Sequence, residues 1–388
     1  MPQVLIPPLS LQIDNLYYTY FMGSISPLSS PSYVPVNPFT NYRIYTSFCS
    51  NDLLATSNMS NWIECYDPVT NSWHRVDRVP QLLENHVRKD FSMVSIGDFV
   101  YIIGGRLCHK VLGDGPYEIV EVGIEILSSV IRYDVRNGVW SKCAPLGVPR
   151  FDFACTVCDG KIYVAGGQCT LGVARGTSSA EMYDPILDEW KPLPDMSVMR
   201  YKCVGVTWQG KIHVIGGFAE KADMDKLPWN TFGRCSAEVY DSENAKWDLV
   251  MGMWQLDVPP NQIVAVDEKL YSSGDCLNAW KGHIEVYDRQ IWDEVDGSHL
   301  ETLASPISTS DAEWPPIKRA YITMAAIGSH LFFMAGYRQA GETSRLTSIV
   351  HAFDTSAKSD AWRSLEPMEE EGEKELCCHG CVVFLGNN

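Results

Sequence analysis

Basic residues are scarce in this sequence. Among its 388 residues, 31 are Lys or Arg and 48 are Asp or Glu, which gives a formal net charge of −17 at pH 7. Proteins that follow a phosphate backbone gain affinity from clustered Lys and Arg. The charge balance therefore argues against nucleic acid and anionic membrane surfaces as partners.

Long apolar runs are also lacking. No window reaches the roughly eighteen uninterrupted apolar residues that a membrane span needs. The opening run MPQVLIPPLSLQIDN has neither the basic start nor the continuous apolar stretch of a secretory signal, because Pro7 and Pro8 interrupt it. We therefore expect a protein of the cytoplasm or nucleus.

The cysteines lack the spacing of a disulfide framework. They number 13, an odd count, and they are scattered through strand-like segments, so we expect reduced and mostly buried thiols. Cys377, Cys378, His379 and Cys381 have the chemistry of zinc ligands. Neighbouring side chains of a strand point to opposite faces, however, so these four cannot converge on one ion. We expect no metal site there.

What the sequence does contain is a repeat. Five β-rich runs end in or next to glycine: VYIIGG, IYVAGG, IHVIGG, LYSSGD and LFFMAG. An aromatic residue followed by Asp recurs six times, at Tyr66-Asp67, Tyr133-Asp134, Tyr183-Asp184, Tyr240-Asp241, Tyr287-Asp288 and Phe353-Asp354. A tryptophan follows each pair, at Trp73, Trp140, Trp190, Trp247, Trp292 and Trp362. With a further run before each glycine strand, such as FSMVSI, the unit contains four strands.

Four antiparallel strands recurring at about fifty residues are typical of kelch repeats. From roughly residue 42 to 386 the sequence resembles the kelch family, in particular the plant-type F-box/kelch proteins. The resemblance implies an all-β fold, a six-bladed kelch-type β-propeller over residues 42–388, after a proline- and serine-rich N-terminal arm of residues 1–41. The run HGCVVFLG is expected to close the first blade as its innermost strand, although YRIYTSFC competes for that place. We find no F-box or BTB pattern before the repeats.

The binding face follows from the order of strands in a blade, lettered a to d from the channel outward. The b-to-c and d-to-a connections lie on the same face. Two b-to-c connections, from Arg106 to Leu127 and from Phe218 to Cys235, are far longer than a hairpin needs. Long loops on a rigid scaffold often carry binding, so we expect the functional surface on this face.

Polar residues align at the start of the a strands on that face. One ring consists of Arg88, Arg150, Arg200 and Arg319. Two positions further, at the mouth of the channel, come Asp90, Asp152, Lys202, Gln262, Tyr321 and His379. The arginines resemble those through which kelch adaptors bind acidic peptides, or they only tether loops. The mouth residues can bind a polar ligand or transfer protons, or they pair with one another in a wet channel.

Aromatic residues in the connections offer a further candidate surface. They either line a pocket for a small aromatic or apolar ligand or pin the loops to the propeller. They are Tyr117, Trp229, Phe232, Trp280 and Trp314.

Two functions remain open on the sequence alone. The first is a monomeric interaction module without catalysis that binds a protein, a peptide or a small polar or aromatic ligand on this face. The alternative is a cofactor-free enzyme, such as an isomerase, cyclase or lyase, with an acid and a base at the channel mouth. Neither the copper site of galactose oxidase-like propellers nor the iron site of nitrile-specifier proteins can be assembled from the residues present. We therefore expect no cofactor.

Overall fold

The computed structural model describes residues 37–51, 59–113, 119–220, 231–275, 284–295, 317–339 and 345–386. The chain divides into two units, residues 1–37 and 38–388. The described strands belong to the second unit, and most of the predicted N-terminal arm, residues 1–36, lies outside the described residues. In the described part of the chain, no helix is long and apolar enough to cross a membrane.

The described chain is built almost entirely of strands. The first ten are β1 (Tyr42–Ser50), β2 (Trp62–Asp67), β3 (Ser72–Arg78), β4 (His86–Lys89), β5 (Ser92–Ile96), β6 (Phe99–Ile103), β7 (Arg106–Leu112), β8 (Ile119–Ile126), β9 (Val130–Asp134) and β10 (Val139–Cys143). The next ten are β11 (Ala154–Cys158), β12 (Lys161–Ala165), β13 (Ala180–Asp184), β14 (Glu189–Leu193), β15 (Met199–Tyr201), β16 (Val204–Trp208), β17 (Lys211–Ile215), β18 (Phe218–Glu220), β19 (Ala237–Asp241) and β20 (Lys246–Val250). The last ten are β21 (Ile263–Val266), β22 (Lys269–Ser272), β23 (Ile284–Tyr287), β24 (Trp292–Val295), β25 (Ile317–Ile327), β26 (His330–Gln339), β27 (Arg345–Asp354), β28 (Trp362–Ser364), β29 (Met368–Glu371) and β30 (Lys374–Phe384). A single helical turn, α1 (Thr231–Arg234), precedes β19.

Within the described residues most of these strands form six antiparallel sheets, of which five have four strands and the sixth has β29 as a fifth strand beside β27. From the inner strand outward their orders are β30-β1-β2-β3, β5-β6-β9-β10, β11-β12-β13-β14, β16-β17-β19-β20, β21-β22-β23-β24 and β25-β26-β27-β28. The inner strands contact one another in succession, and β25 contacts β30 while β30 contacts β5, so the succession closes into a ring. The predicted fold class, an all-β kelch-type propeller, is confirmed.

The first sheet joins the two ends of the propeller. β30 is its inner strand, and β1 pairs with β30 on one side and with β2 on the other. The two runs that competed for the closing position are thus adjacent strands of one sheet. Ile44 of β1 and Val383 of β30 are almost completely buried, so the closing pair contributes apolar area to the core.

The aromatic residues of the repeat pack in pairs. The aromatic residue of each third strand lies opposite the tryptophan that follows it, as Tyr183 does opposite Trp190. In the six sheets the paired ring centroids are between 4.7 and 5.3 Å apart. The indole N–H of Trp190 donates to the carbonyl of Ala144, just after β10, at 2.9 Å. The repeated tryptophan therefore also links one sheet to its neighbour.

A buried lysine lies in the closing sheet. The Nζ of Lys374 on β30 is 2.7 Å from Glu64 on β2 and 2.5 Å from Glu370 on β29. It also lies 4.4 Å from the ring centroid of Phe48 on β1. Because Lys374 and Glu64 are both almost fully buried, each charge depends on the other for compensation.

We expect Lys374→Met to lower the free energy of unfolding by about 3 kcal/mol, because it leaves the Glu64 carboxylate buried without its cation. The matched control is Lys246→Met, since Lys246 forms an exposed pair with Asp248, and such pairs contribute about 0 to 1 kcal/mol. Urea unfolding of the two variants measures the difference. Equal losses of unfolding free energy in the two variants would show that the buried pair of Lys374 and Glu64 does not stabilise the closing sheet.

Candidate functional site at the channel mouth

The inner strands surround a central cavity of about 760 Å³. Asp90, Asp152, Lys202 and His379 from the predicted set all line it. Valine, serine, threonine and cysteine side chains of the inner strands form much of its wall, including Ser92, Val94, Cys155, Thr156, Val206, Thr207 and Cys378. The cavity is therefore amphipathic.

Three charged residues at the mouth share an uncommon backbone conformation. Asp90, Asp152 and Lys202 have φ angles of 53°, 54° and 52°, in the left-handed region that non-glycine residues seldom adopt. This backbone conformation allows a main-chain hydrogen bond between one sheet and the next. The N–H of Asp152 donates to the carbonyl of Asp90 at 3.0 Å, and the N–H of Lys202 donates to the carbonyl of Asp152 at 2.7 Å. These bonds set the three side chains in succession around the mouth.

The two carboxylates at the mouth have different environments. Asp90 forms an ion pair with Arg106, whereas Asp152 accepts a weak hydrogen bond from the amide of Gln168 at 3.3 Å. Burial, reinforced by the neighbouring Asp90 charge, raises the pKa of Asp152 to about 7, although Lys202 and Arg106 oppose the rise. The Asp152 carboxyl therefore changes its charge near neutral pH.

Arg106 and Gln168 are site residues that the sequence analysis missed. Each directly follows a glycine pair, Gly104-Gly105 in one case and Gly166-Gly167 in the other. The chain leaves the b strand there, beside the start of the a strand. Aligning the residue after each glycine pair would have brought both into the predicted set.

His379 lies on the wall of the cavity. Burial lowers its pKa to about 4, so the imidazole is neutral at physiological pH. Its Nδ1 atom is buried and has no hydrogen-bond partner among the described residues. Such an atom can donate to or accept from a ligand according to the tautomer.

The predicted arginine ring is not a binding surface. Arg88, Arg150 and Arg200 are at most 3% exposed. The guanidinium of Arg150 donates to the carbonyls of Gly166 and Ser179 at 2.8 and 2.9 Å. Arg88 and Arg200 bond to carbonyls of their own sheets in the same way. The arrangement corresponds to the tethering alternative for these three residues, because their guanidinium groups are buried and bond to carbonyls inside the protein.

The fourth arginine has a different environment. Arg319 is half-buried on β25, opposite Tyr337 of β26. Burial lowers its pKa, while Tyr337 opposes that change.

A repeated glutamate could have indicated the internal role of the arginines. Glutamate lies two residues before the aromatic in four of the six copies, at Glu64, Glu181, Glu238 and Glu285. Glu181 is 2.8 Å from the guanidinium of Arg150 and also accepts from the N–H groups of Gly147 and Val148. A carboxylate at this position satisfies both the arginine and the d-to-a connection.

Two other predicted mouth residues have structural roles. The side-chain amide of Gln262 donates to the carbonyl of Met324 at 2.6 Å and accepts from its N–H at 2.8 Å, joining β21 to β25. Tyr321 points into the interior, where its hydroxyl bonds to Ser348 at 2.7 Å. Its predicted position at the mouth is wrong, because β25 is continuous and has a bulge between Arg319 and Tyr321 that changes which face the side chain occupies.

The connection from Arg106 to Leu127 is not an irregular loop. Most of it forms the hairpin β7-β8, and β4 pairs with β7 to complete a three-stranded sheet that we call the ribbon. The second long connection begins with β18 and includes α1, but residues 221–230 lie outside the described residues. Also outside them are Tyr117, Trp229, Trp280 and Trp314, together with the side chain of Phe232.

The described ranges contain no cluster of side chains that is suited to hold a metal ion. No group of three or more His, Cys, Asp or Glu residues is positioned there to hold a metal ion. The arrangement at the mouth offers polar and ionic contacts instead.

Comparison with known proteins identifies the repeat. The kelch motif model matches residues 149–197, which include Arg150, Asp152 and the whole third sheet. An F-box/kelch-repeat protein of Arabidopsis thaliana is 30% identical over 205 residues, 52% of this chain and 48% of that protein. F-box/kelch-repeat protein OR23 of the same plant is 31% identical over 226 residues, 52% of this chain and 50% of that protein. Kelch-like protein 26 of Danio rerio is 22% identical over 288 residues, 74% of this chain and 42% of that protein.

The ring of antiparallel sheets, the paired aromatic residues and these matches agree with one another: the chain has a kelch-type fold and is similar to kelch-repeat proteins. It spans about half the length of the two Arabidopsis relatives.

We expect Arg150→Lys to lower the free energy of unfolding by about 3 kcal/mol, because a lysine cannot replace the planar fork that reaches two carbonyls and Glu181. Arg136→Lys is the matched control, since Arg136 and its partner Asp98 are each about a third exposed. Guanidinium unfolding curves compare the two. Full stability of Arg150→Lys would contradict the tethering role.

The shifted pKa of Asp152 can be tested by carboxyl NMR. We expect its titration midpoint near pH 7, a lower midpoint in Asp90→Asn and a higher one in Lys202→Met, because the first removes a negative and the second a positive neighbour.

Linkage fixes the sign of the accompanying stability change. When folding raises the pKa of a carboxyl, the group stabilises the folded state most at pH values below its unfolded pKa. For Asp152 that stabilisation is lost as the pH rises through about 7. The free energy of unfolding of Asp152→Asn should therefore decline less between pH 4 and pH 7 than that of the wild type. Identical pH profiles would refute the shift.

Proposed function

We propose that this protein is a non-catalytic interaction module that binds a protein partner on the face formed by the b-to-c and d-to-a connections. The observation that carries the proposal is an exposed apolar surface on the ribbon, directly beside the charged channel mouth. Its relatives are named as F-box/kelch-repeat and kelch-like proteins, and kelch repeats are protein-interaction modules. Localisation to the cytoplasm or nucleus and a monomeric state are part of the same proposal.

The apolar surface consists of β-branched side chains on the outward side of the ribbon. Val122 and Ile124 are 50% and 49% exposed, and Val111 and Val120 lie beside them at the surface. Exposed apolar residues that cluster in this way often mark an interaction site. Leu171, from the b-to-c connection of the next sheet, approaches Gly123 on the other side of the ribbon, so connections from two sheets meet here.

The charged mouth supplies the polar part of the surface. The Asp90 and Arg106 pair is partly exposed, and Lys202 is exposed. Protein interfaces combine an apolar centre with a polar rim, and this face offers both within adjacent sheets. The buried arginines are not part of this surface, so the proposal does not include binding of acidic peptides by Arg88, Arg150 and Arg200.

The alternative of a cofactor-free enzyme receives no support. An acid or base needs a substrate-binding arrangement around it, and the raised pKa of Asp152 is accounted for by burial and by Asp90. The relatives reported above are named for their repeats and domains rather than for a reaction.

We expect Val122→Asp and Lys202→Glu each to reduce capture of the partner by at least about tenfold, because one charges the apolar surface and the other reverses a rim charge. The control is Ile186→Asp, which lies 92% exposed in the turn between β13 and β14 on the opposite face. Tagged variants are incubated in an extract of the tissue that makes the protein, and retained proteins are quantified by mass spectrometry. Equal loss in Ile186→Asp, or no retained protein in the wild type, would overturn the proposal.

A further inference from the structure

The ribbon ends in a strand that has a partner on one side only. Its order is β4-β7-β8, which places β8 at the edge. Among the described residues, no strand pairs with the outer side of β8. Proteins commonly protect such edges with lysine, proline or a very short strand. The sequence of β8, IVEVGIEI, is eight residues long and has neither lysine nor proline.

The direction of the backbone groups on β8 follows from the ladder. The N–H of Lys110 on β7 donates to the carbonyl of Asn85 at 2.9 Å, so the peptide groups of Lys110 point toward β4. Lys110 lies opposite Glu121 of β8. In an antiparallel ladder, opposite residues either bond to each other or both point away. Glu121 therefore directs its N–H and C=O groups to the open edge. Gly123 does the same, because every second residue of a strand points its peptide groups to the same side.

The surface chemistry of β8 is apolar and acidic. Val120, Val122 and Ile124 are exposed, and the only ionisable residues of the strand are Glu121 and Glu125.

The lysines closest to β8 pair with Glu121 and not with Glu125. The Lys89 and Lys110 side chains are 6% and 0% exposed, and both ammonium groups are held between Glu121 and Glu375 at distances from 2.6 to 3.4 Å. A partner at this edge would therefore meet the Glu125 carboxylate and the exposed valines but no available lysine.

We propose that the open edge of β8 accepts an extended segment of a partner protein as an added antiparallel strand, with side chains that alternate between apolar and basic. This inference rests on the proposed function and names the chemistry of the partner. Strand addition supplies main-chain hydrogen bonds, and the alternating side chains supply specificity. A second copy of this chain fits less well, because each copy has a net charge of −17 and would bring its own Glu125 toward the Glu125 of the other.

Gly123 provides a matched pair of variants. Gly123→Pro removes an N–H that faces the open edge, and proline is tolerated on edge strands where the N–H is not used within the sheet. Gly123→Ala keeps the N–H. A Cβ at this position would lie 3.4 Å from a methyl group of Leu171, an ordinary contact with a flexible side chain. Urea unfolding checks that both variants keep the stability of the wild type.

The probes are capped, fluorescently labelled octapeptides added to the full chain. One alternates Val with Lys, a second alternates Val with Glu, and a third is the Val and Lys peptide with N-methylated valines. We expect the first to bind, the second not to bind, and the third to bind at least about tenfold more weakly, because it cannot complete the ladder. For the first peptide, Gly123→Pro should weaken binding at least about tenfold and Gly123→Ala less than about twofold. Fluorescence anisotropy measures all of these.

Several results would overturn the inference. They are equal binding of the plain and N-methylated peptides, equal binding by Gly123→Pro and wild type, and binding of the Val and Glu peptide as tight as that of the Val and Lys peptide. A wild-type dimer that sedimentation detects and that Gly123→Pro abolishes would identify a second copy as the occupant and reject the basic partner. The N-methylated peptide keeps the test decisive even where Gly123→Pro unfolds the ribbon.

Failure of the inference is distinguishable from failure of the proposed function. Should Lys202→Glu abolish partner capture while Gly123→Pro leaves it intact, strand addition is wrong and the interaction face stands. Should no partner be captured although the Val and Lys peptide binds as expected, the edge is supported and the proposed function is wrong.

Discussion

A backbone hydrogen bond between neighbouring sheets is the constraint on which the rest of the propeller depends. The N–H of Gly105 donates to the carbonyl of Arg150 in the next sheet at 2.7 Å. Gly105 has a φ of 92°, and a Cβ there would lie 2.7 Å from the carbonyl oxygen of Lys89, so only glycine fits. Gly167 makes the same bond to Arg200. These two joints fix where the inner strands β11 and β16 begin, and so they fix the geometry of the channel mouth around Asp152 and Lys202.

The joint also explains why Arg150 has a structural role, whereas Asp152 and Lys202 line the channel mouth. Arg150 contributes its carbonyl to the joint and its guanidinium to carbonyls of its own sheet, and Glu181 neutralises it. Because buried charges need such full compensation, this arginine has no bonding capacity left for a ligand. Asp152 and Lys202 lie beyond the joint, where the backbone turns them into the mouth.

The sequence was sufficient to predict the fold because the repeat encodes contacts that do not depend on the connections. Tyr183 lies opposite Trp190, and the aromatic residue lies opposite the tryptophan in the other five sheets as well, although the hairpins differ in length. The mouth residues Asp90, Asp152 and Lys202 were predictable because three sheets share one local pattern. Tyr321 was not, because a bulge shifts its strand, and a bulge leaves no simple mark in the sequence. The period-two alternation in IVEVGIEI is a strand signal that the sequence analysis did not use, since it treated the whole connection as a long loop.

The pairing of β1 with β30 has a consequence for the order in which the protein is made. β1 leaves the ribosome long before its neighbour β30, and all five other sheets are synthesised in between. Throughout that interval the side of β1 that later bonds to β30 has no native partner, and contacts so distant in the chain form slowly. The newly made protein thus passes through a stage in which an open strand edge is exposed to other nascent chains and to chaperones.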